Sequence, residues 1–138
     1  MRPAPEPRQL AAMAIGSACG DVLRWWLGET FPDGTGFPWT VFTINVSGSL
    51  ALAALPGVAV VRRSPALAVG LGTGVLGGFT TLSACSEQTR ALLHAGNVAL
   101  AAAYLLGTLA AALVAVWLGD RLSTADQRRG LDAVGADE

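Results

Sequence analysis

The sequence predicts an all-α membrane protein with four transmembrane helices, the third of which is broken at its centre. Hydrophobic residues make up 52% of the 138 residues and charged residues 14%, and the mean hydropathy is +0.50. A soluble domain would carry about 25% charged residues. Four mostly apolar windows have roughly the 20 residues that a bilayer-spanning helix needs. They are residues 9–28, 39–61, 64–86 and 94–119.

The charge and cysteine content exclude several classes of protein. All nine basic residues are arginines and the net charge is −1, whereas a nucleic-acid-binding protein needs a basic patch. Cys19 and Cys85 lie in apolar runs, which favours two small buried side chains over a disulfide. The sequence holds no Walker-type phosphate loop, no cluster of metal ligands and no nucleophile–base pair. We therefore expect that the protein is not an enzyme.

The first apolar window has features of a membrane helix that packs closely on a neighbour. Gly16 and Gly20 are spaced i, i+4 and would allow another helix to approach, although the same spacing can arise by chance in a glycine-rich chain. An alternative for this window is a signal peptide with a cleavage site before Cys19. Asp21 and Arg24 are spaced to pair on one helix face, and they fit better with a helix that ends near the membrane interface.

A loop, a bend and a basic turn follow this helix. Residues 28–38 contain prolines and glycines that preclude a regular element. Helix 2 covers residues 39–61, and Pro56-Gly57 should bend its second half. Residues 62–65 are a tight basic turn into helix 3.

Helix 3 carries the stretch around which the other helices are arranged. Gly77-Gly78 lies in an uncharged run, and adjacent glycines carry the largest backbone entropy cost in a helix. Hydroxyl side chains follow at once, so we expect a break there. Helix 4 covers residues 97–119. The chain then divides into a disordered N-terminal tail (1–8), a four-helix membrane domain (9–119) and a polar C-terminal tail (120–138).

The arginines predict the orientation in the membrane. With four spans, both termini share a side with the loop between helices 2 and 3. That side carries Arg2, Arg8, Arg62, Arg63, Arg121, Arg128 and Arg129, whereas the other side carries Arg24 and Arg90. Cytoplasmic loops carry an excess of basic residues, which places both termini in the cytoplasm.

Polar side chains at similar membrane depth point to an ion site. Asn45, Thr80, Thr81, Ser83, Tyr104 and Thr108 offer N–H and O–H donors without a negative charge. Such donors suit a small anion that has lost its hydration shell, whereas a cation pathway more often has a ring of carboxylates. A broken helix also frees backbone carbonyls that can hold Na⁺, and those of Gly77 and Thr80 flank the break. Two alternatives stay open: Asn45 joins two helices, or the paired glycines only permit close packing.

The chain resembles the Fluc (CrcB) family of fluoride channels over residues 14–119. The resemblance rests on residues 16–24 of helix 1, WTVFTINVSGS at residues 39–49, GGFTTLS at residues 77–83 and Tyr104 in helix 4. It implies an antiparallel (dual-topology) dimer in the plasma membrane, with two pores at the interface that export fluoride passively.

The same resemblance implies the functional residues. A structural Na⁺ that is not transported would bind the carbonyls of Gly77 and Thr80, and Arg24 matches a structural arginine near the end of helix 1. The pore-lining residues are then Asn45, Thr81, Leu82, Ser83, Cys85, Tyr104 and Thr108.

The sequence departs from the family pattern at two pore positions. Where the family has two phenylalanines, this chain has Leu82 and Cys85. A ring edge carries partial positive charge that can face an anion; leucine has none, and cysteine offers only a weak S–H donor. The arginine bias also disfavours insertion in both orientations. We therefore hypothesise one half of a heterodimer whose partner is an oppositely oriented paralogue.

Two other functions remain as alternatives. A small four-helix proton-coupled drug exporter would need a carboxylate within the membrane, for which Asp21 is the candidate. A non-conducting structural subunit would need no pore, as the loss of both rings allows.

Overall fold

The structure is a computed structural model that describes residues 6–135, with side chains described for residues 6–124. The regular elements in this range are helical. The α-helices are α1 (Pro7–Thr30), α2 (Trp39–Ala54), α3 (Ala59–Arg62), α4 (Pro65–Val69), α5 (Gly77–Phe79), α6 (Leu82–His94) and α7 (Val98–Gly135). A 3₁₀ turn (Leu55–Gly57) follows α2, and a π-helical segment (Gly70–Leu76) joins α4 to α5.

Three stretches of the described chain are long and apolar enough to cross a membrane. They are Trp39–Gly57, Pro65–His94 and Val98–Thr124, with 19, 30 and 27 residues. The 24-residue α1 is not among them. Its length is sufficient, but it contains charged residues near both ends, including Arg8, Asp21, Arg24 and Glu29.

The first and the last helix extend beyond their predicted boundaries. Helix α1 begins at Pro7 rather than at residue 9, because Glu6 forms a capping box with Gln9 and Pro7 suits the first helical position. Helix α7 continues to Gly135, well beyond residue 119, because no proline interrupts the sequence from 98 to 135. Residues 1–5 and 136–138 of the two predicted tails lie outside the described residues.

Helix α1 packs directly on the backbone of the third span through glycines on both sides. A Cβ added at Gly74 would lie 2.9 Å from the Met13 carbonyl oxygen, and one at Gly78 would lie 2.5 Å from that of Ser17. On the α1 side, a Cβ at Gly16 or Gly20 would overlap the backbone of the π-helical segment. The close approach predicted for Gly16 and Gly20 is therefore confirmed.

Helix α2 packs along α7 and is bent at its end, as Pro56-Gly57 predicts. A Cβ at Gly119 of α7 would lie 2.7 Å from the Leu50 carbonyl oxygen, so this contact also depends on glycine. Beyond the bend, Arg62 donates to the carbonyl oxygens of Pro56 and Gly57 at 3.0 and 2.8 Å. These bonds tie the Arg62 side chain to the bend at the end of the helix.

The best-buried cluster lies between α6, α7 and the loop before α2. Its buried members are Cys85, Leu92, Ala101 and Tyr104, and partly buried side chains, among them Phe37 and Phe42, pack against it. Phe37 contacts Tyr104 edge-on, with ring centroids 5.4 Å apart. Many other large apolar side chains face outward, among them Leu82, Leu106 and Leu113, which is the expected surface for a chain that contacts lipid or a partner subunit.

Candidate ion site at an interrupted helix

The third span is not helical at two adjacent threonines. Thr80 has φ −78° and ψ 152°, and Thr81 has φ −148° and ψ 116°, which are extended conformations. Gly77 and Gly78 are themselves helical, and Gly78 is used for the close contact with α1. The extended residues therefore lie just beyond the paired glycines that marked this place in the sequence.

The Asn45 side chain holds Thr81 in this conformation. The Thr81 N–H donates to Asn45 Oδ1 at 2.8 Å, and Asn45 Nδ2 donates to the Thr81 carbonyl oxygen at 3.0 Å. The Asn45 carboxamide thus provides hydrogen-bond partners for both the N–H and the carbonyl of Thr81, which is not helical. This is the helix-joining role that the sequence left open for Asn45, and Asn45 also lines a cleft described below.

Thr81 in turn starts the next helix. Its Oγ1 accepts from the Ala84 N–H at 3.1 Å and lies 3.2 Å from Ser83 Oγ. A threonine side chain at this position is a favoured N-cap because it satisfies one of the free N–H groups in the first turn. Helix α6 therefore begins at Leu82 directly beside the interruption.

These bonds deprive two particular carbonyls of their usual donors. In a continuous α-helix the N–H of residue i+4 donates to the carbonyl of residue i. The Thr81 N–H, which would serve Gly77, instead donates to Asn45, and the Ala84 N–H, which would serve Thr80, instead donates to the Thr81 side chain. Gly77 and Thr80 are the residues predicted to bind Na⁺ through their carbonyl oxygens.

Arg24 acts on another carbonyl of the same turn. Its Nε donates to the Gly78 carbonyl oxygen at 3.2 Å, and its terminal NH₂ group pairs with Asp21 at 2.9 Å. The guanidinium thus links α1 to the end of α5. Arg24 also lines a cavity of about 370 Å³ on this side of the interruption, together with Asp33, Thr81 and Gln88.

A cleft of about 320 Å³ opens on the other side of the interruption. It brings together side chains from α2, the interruption, α6 and α7. Its lining residues are Asn45, Ser49, Thr80, Thr81, Leu82, Cys85, Leu105, Thr108, Leu109 and Ala112. None of these residues carries a carboxylate, and the polar members are amides and hydroxyls. Most of the residues predicted to line a pore therefore share one cleft.

Two of the three threonine hydroxyls of this cleft, those of Thr80 and Thr108, already have acceptors. Thr80 Oγ1 donates to the Leu76 carbonyl oxygen at 3.0 Å, and Thr108 Oγ1 donates to that of Tyr104 at 2.6 Å. Each bond returns to the preceding helical turn, a common way to satisfy a hydroxyl in an apolar helix. These hydroxyls must rotate before they can donate to an ion.

Tyr104 and Ser83 do not line the cleft. The Tyr104 side chain is fully buried at 0% exposure, and its hydroxyl donates to Gln88 Oε1 at 2.6 Å. Gln88 Nε2 donates to Asp33 Oδ2 at 3.1 Å. Sequence reasoning missed both Gln88 and Asp33. The available signal was Tyr104 itself, because a buried tyrosine hydroxyl usually has a hydrogen-bond partner.

Comparisons with known proteins agree on one family. The sequence model of the family described as "CrcB-like protein, Camphor Resistance (CrcB)" matches residues 11–120. The fluoride-specific ion channel FluC of Novosphingobium aromaticivorans is 42% identical over 114 residues, 79% of this chain and 90% of the relative. FluC 2 of Nocardia farcinica is 38% identical over 124 residues, 85% and 86% of the two chains. FluC 1 of Desulfitobacterium hafniense is 39% identical over 111 residues, 79% and 97% of the two chains.

Proposed function

The chain belongs to the CrcB-like protein family, and we propose that it is a subunit of a fluoride-selective, passive ion channel. In this role it exports fluoride from the cytoplasm and so reduces fluoride toxicity. It is a multi-pass membrane protein, as its three membrane-capable stretches indicate. The curated relatives are named fluoride-specific ion channels rather than enzymes.

The observation that carries this proposal is the cleft beside the interrupted helix. Its polar lining consists of an amide and hydroxyls, with no carboxylate. One N–H of the Asn45 carboxamide is held by Thr81, and the carboxamide carries a second N–H. The start of α6 lies at the same place, and the N-terminus of a helix favours negative charge. This combination suits a small anion.

We propose the Na⁺ site at the carbonyl oxygens of Gly77 and Thr80. The residues fit this role because the N–H groups that would occupy those carbonyls in a helix donate elsewhere. Neutral carbonyl oxygens are suitable ligands for a small alkali cation. The ion would be structural: it would hold the two halves of the third span together.

The proposed assembly is an antiparallel dimer in the plasma membrane, with α1 as a fourth span and both termini in the cytoplasm. Support for a pore at the dimer interface comes from the position of the cleft. It opens on a face where Leu82 is 77% exposed and Leu109 is 57% exposed. A second subunit covering this face would enclose the polar lining.

We further propose that the working channel is a heterodimer with an oppositely oriented paralogue. Leu82 and Cys85 line the cleft where the family has phenylalanines, so the partner would supply the rings. The numbered names FluC 1 and FluC 2 among the relatives fit organisms with more than one such chain. The second candidate function is a structural subunit that does not conduct. The same substitutions, Leu82 and Cys85 in place of phenylalanine, favour this function.

The contacts of Asp21 count against the drug-exporter alternative. Proton-coupled exchange needs a carboxylate that can bind a cation within the membrane. Asp21 Oδ1 instead pairs with Arg24 at 2.9 Å, on a side chain that is about half exposed.

Growth of a bacterial strain that lacks its own fluoride exporters tests the proposal. We expect the chain, expressed alone or with a paralogue, to restore growth on fluoride without changing resistance to lipophilic cations. Asp21→Asn should leave fluoride resistance intact. Resistance to lipophilic cations that Asp21→Asn abolishes would instead establish the exporter.

A further inference from the structure

Two hydrogen bonds through Gln88 connect Asp33, in the loop between α1 and α2, to the buried Tyr104, and a third bond joins Asp33 to the start of α2. The Thr40 N–H donates to Asp33 Oδ1 at 2.8 Å, and Gln88 Nε2 donates to Asp33 Oδ2 at 3.1 Å. The Tyr104 hydroxyl donates to Gln88 Oε1 at 2.6 Å. Phe37 of the same loop packs edge-on against the Tyr104 ring. The loop therefore contacts the Tyr104 ring through Phe37 and, through Asp33, bonds the Gln88 side chain that accepts from the Tyr104 hydroxyl.

The direction of these bonds follows from the chemistry of Asp33. An ionised carboxylate can only accept hydrogen bonds, so the Gln88 side chain must turn its NH₂ group towards Asp33. Its carbonyl oxygen then faces Tyr104, and the phenol must donate. The bond from the Thr40 backbone leaves this arrangement unchanged, because an N–H can only donate. The Asp33 carboxylate thus sets the donor–acceptor direction of the hydrogen bonds that connect it to Tyr104.

We propose that Asp33 is a positioning residue that controls whether the Tyr104 hydroxyl acts as a donor or an acceptor. By fixing the Gln88 carboxamide, Asp33 commits the phenolic proton to Gln88, and only lone pairs of the Tyr104 oxygen remain for any further partner. This inference rests on the proposed function for its consequence. A hydroxyl whose proton is committed cannot donate to fluoride, so Asp33 holds Tyr104 in the orientation that does not favour the anion.

The variant Asp33→Asn should reverse the donor–acceptor direction of the hydrogen bonds between residue 33, Gln88 and Tyr104, without a change in the shape of the side chain. Its side-chain oxygen must accept from the Thr40 N–H, which leaves its NH₂ group facing Gln88. Gln88 then has to present its oxygen to residue 33 and its NH₂ group to Tyr104. The Tyr104 phenol then accepts this hydrogen bond, and its own O–H becomes free to donate to another partner.

The single tyrosine of the sequence makes this reversal directly measurable. Protein labelled with ¹³Cζ-tyrosine and purified in detergent micelles gives one tyrosine Cζ resonance. A phenol that donates to a carbonyl has this resonance downfield of a phenol that accepts from an N–H. We expect the unaltered protein to lie at the downfield end and Asp33→Asn to move the resonance upfield. Glu87→Gln is the matched control, because it removes the same charge next to Gln88 from an exposed pair with Arg90, and it should leave the resonance in place.

Several outcomes would overturn the proposal. They are an upfield resonance in the unaltered protein, no movement in Asp33→Asn, or an equal movement in Glu87→Gln. Where Asp33→Asn does not fold, Gln88→Leu serves instead, because it removes the acceptor of the Tyr104 hydroxyl. A tyrosine resonance that does not move in this variant contradicts the proposed hydrogen bonding between Asp33, Gln88 and Tyr104.

Titration of the same samples with fluoride separates this inference from the channel proposal. A fluoride-dependent shift confined to Asp33→Asn supports both. Reversal without any fluoride response leaves the role of Asp33 standing and counts against Tyr104 as a fluoride contact.

Discussion

The carboxamide of Asn45 on α2 makes two hydrogen bonds to the backbone of Thr81 in the third span, one with its oxygen and one with its nitrogen. In a continuous helix the Thr81 groups would bond within the helix. The interruption of the third span is therefore stabilised from a neighbouring helix, and the same bonds leave the Gly77 carbonyl without its helical donor.

Loss of the two hydrogen bonds between Asn45 and Thr81 should destabilise the protein. Asn45→Ala leaves the N–H and the carbonyl of Thr81 without partners, and each buried unsatisfied group costs about 1–3 kcal/mol. We expect a clear fall in the thermal unfolding midpoint of the helical circular dichroism signal in detergent. Ser49→Ala is the control, because Ser49 lies on the same helix and lines the same cleft. Equal unfolding midpoints for the two variants would show that the hydrogen bonds between Asn45 and Thr81 do not stabilise the protein.

Substitution of Gly20 should separate α1 from the third span. A Cβ at Gly20 would overlap the Val75 carbonyl oxygen, and forcing atoms into a packed contact typically costs about 1–3 kcal/mol. Gly28→Ala is the control in the same helix, since no atom lies within 4 Å of its added Cβ. We expect Gly20→Ala to lower the unfolding midpoint and Gly28→Ala to leave it unchanged or raise it slightly. A Gly20→Ala protein as stable as its control would refute this packing.

Arg24 and Asp21 should differ in importance although they are paired. Arg24→Gln removes the bond to the Gly78 carbonyl, so we expect a loss of about 1–2 kcal/mol. Asp21→Asn breaks only a half-exposed ion pair, and such pairs contribute about 0–1 kcal/mol. Chemical denaturation in mixed micelles compares the two. A larger effect for Asp21→Asn would place the stabilising contact on the ion pair instead.

Restoring the two rings should affect the chain unequally. Leu82 is 77% exposed, so Leu82→Phe should fold normally. Cys85 is 3% exposed and packs in the cluster with Tyr104, so Cys85→Phe should cost about 1–3 kcal/mol through overpacking. A gain of fluoride conduction in the double variant would indicate a degenerate pore, and unchanged conduction would indicate that a partner already completes it. Unfolding midpoints that fall equally for the two single variants would contradict the burial difference.

Much of the site could be predicted because membrane helices make polar residues conspicuous. Asn45, Thr80, Thr81 and Thr108 stood out in apolar surroundings, and the structure brings them into one cleft. Gly16 and Gly20 were equally readable, because a helix without side chains on one face can approach its neighbour closely.

Other features depend on contacts that no local pattern reveals. Gln88 and Asp33 are separated by 55 residues, and each looked like an ordinary polar residue at a helix exit or in a loop. The burial of Tyr104 away from the cleft results from Phe37 and Gln88, which reach it from different elements. The extent of α1 and α7 also differed, since a capping box and the lack of a proline extend the helices past the apolar windows.

The most direct test of the central claim is ion release from liposomes that contain the purified chain, alone and together with an oppositely oriented family member. Fluoride and chloride are measured separately after the membrane potential is short-circuited. The account predicts fluoride release in at least one of the two preparations and chloride retention in both. Fluoride release by the chain alone would refute the heterodimer while leaving selectivity intact. Chloride release at a similar rate, or fluoride retention in both preparations of folded protein, would contradict the account.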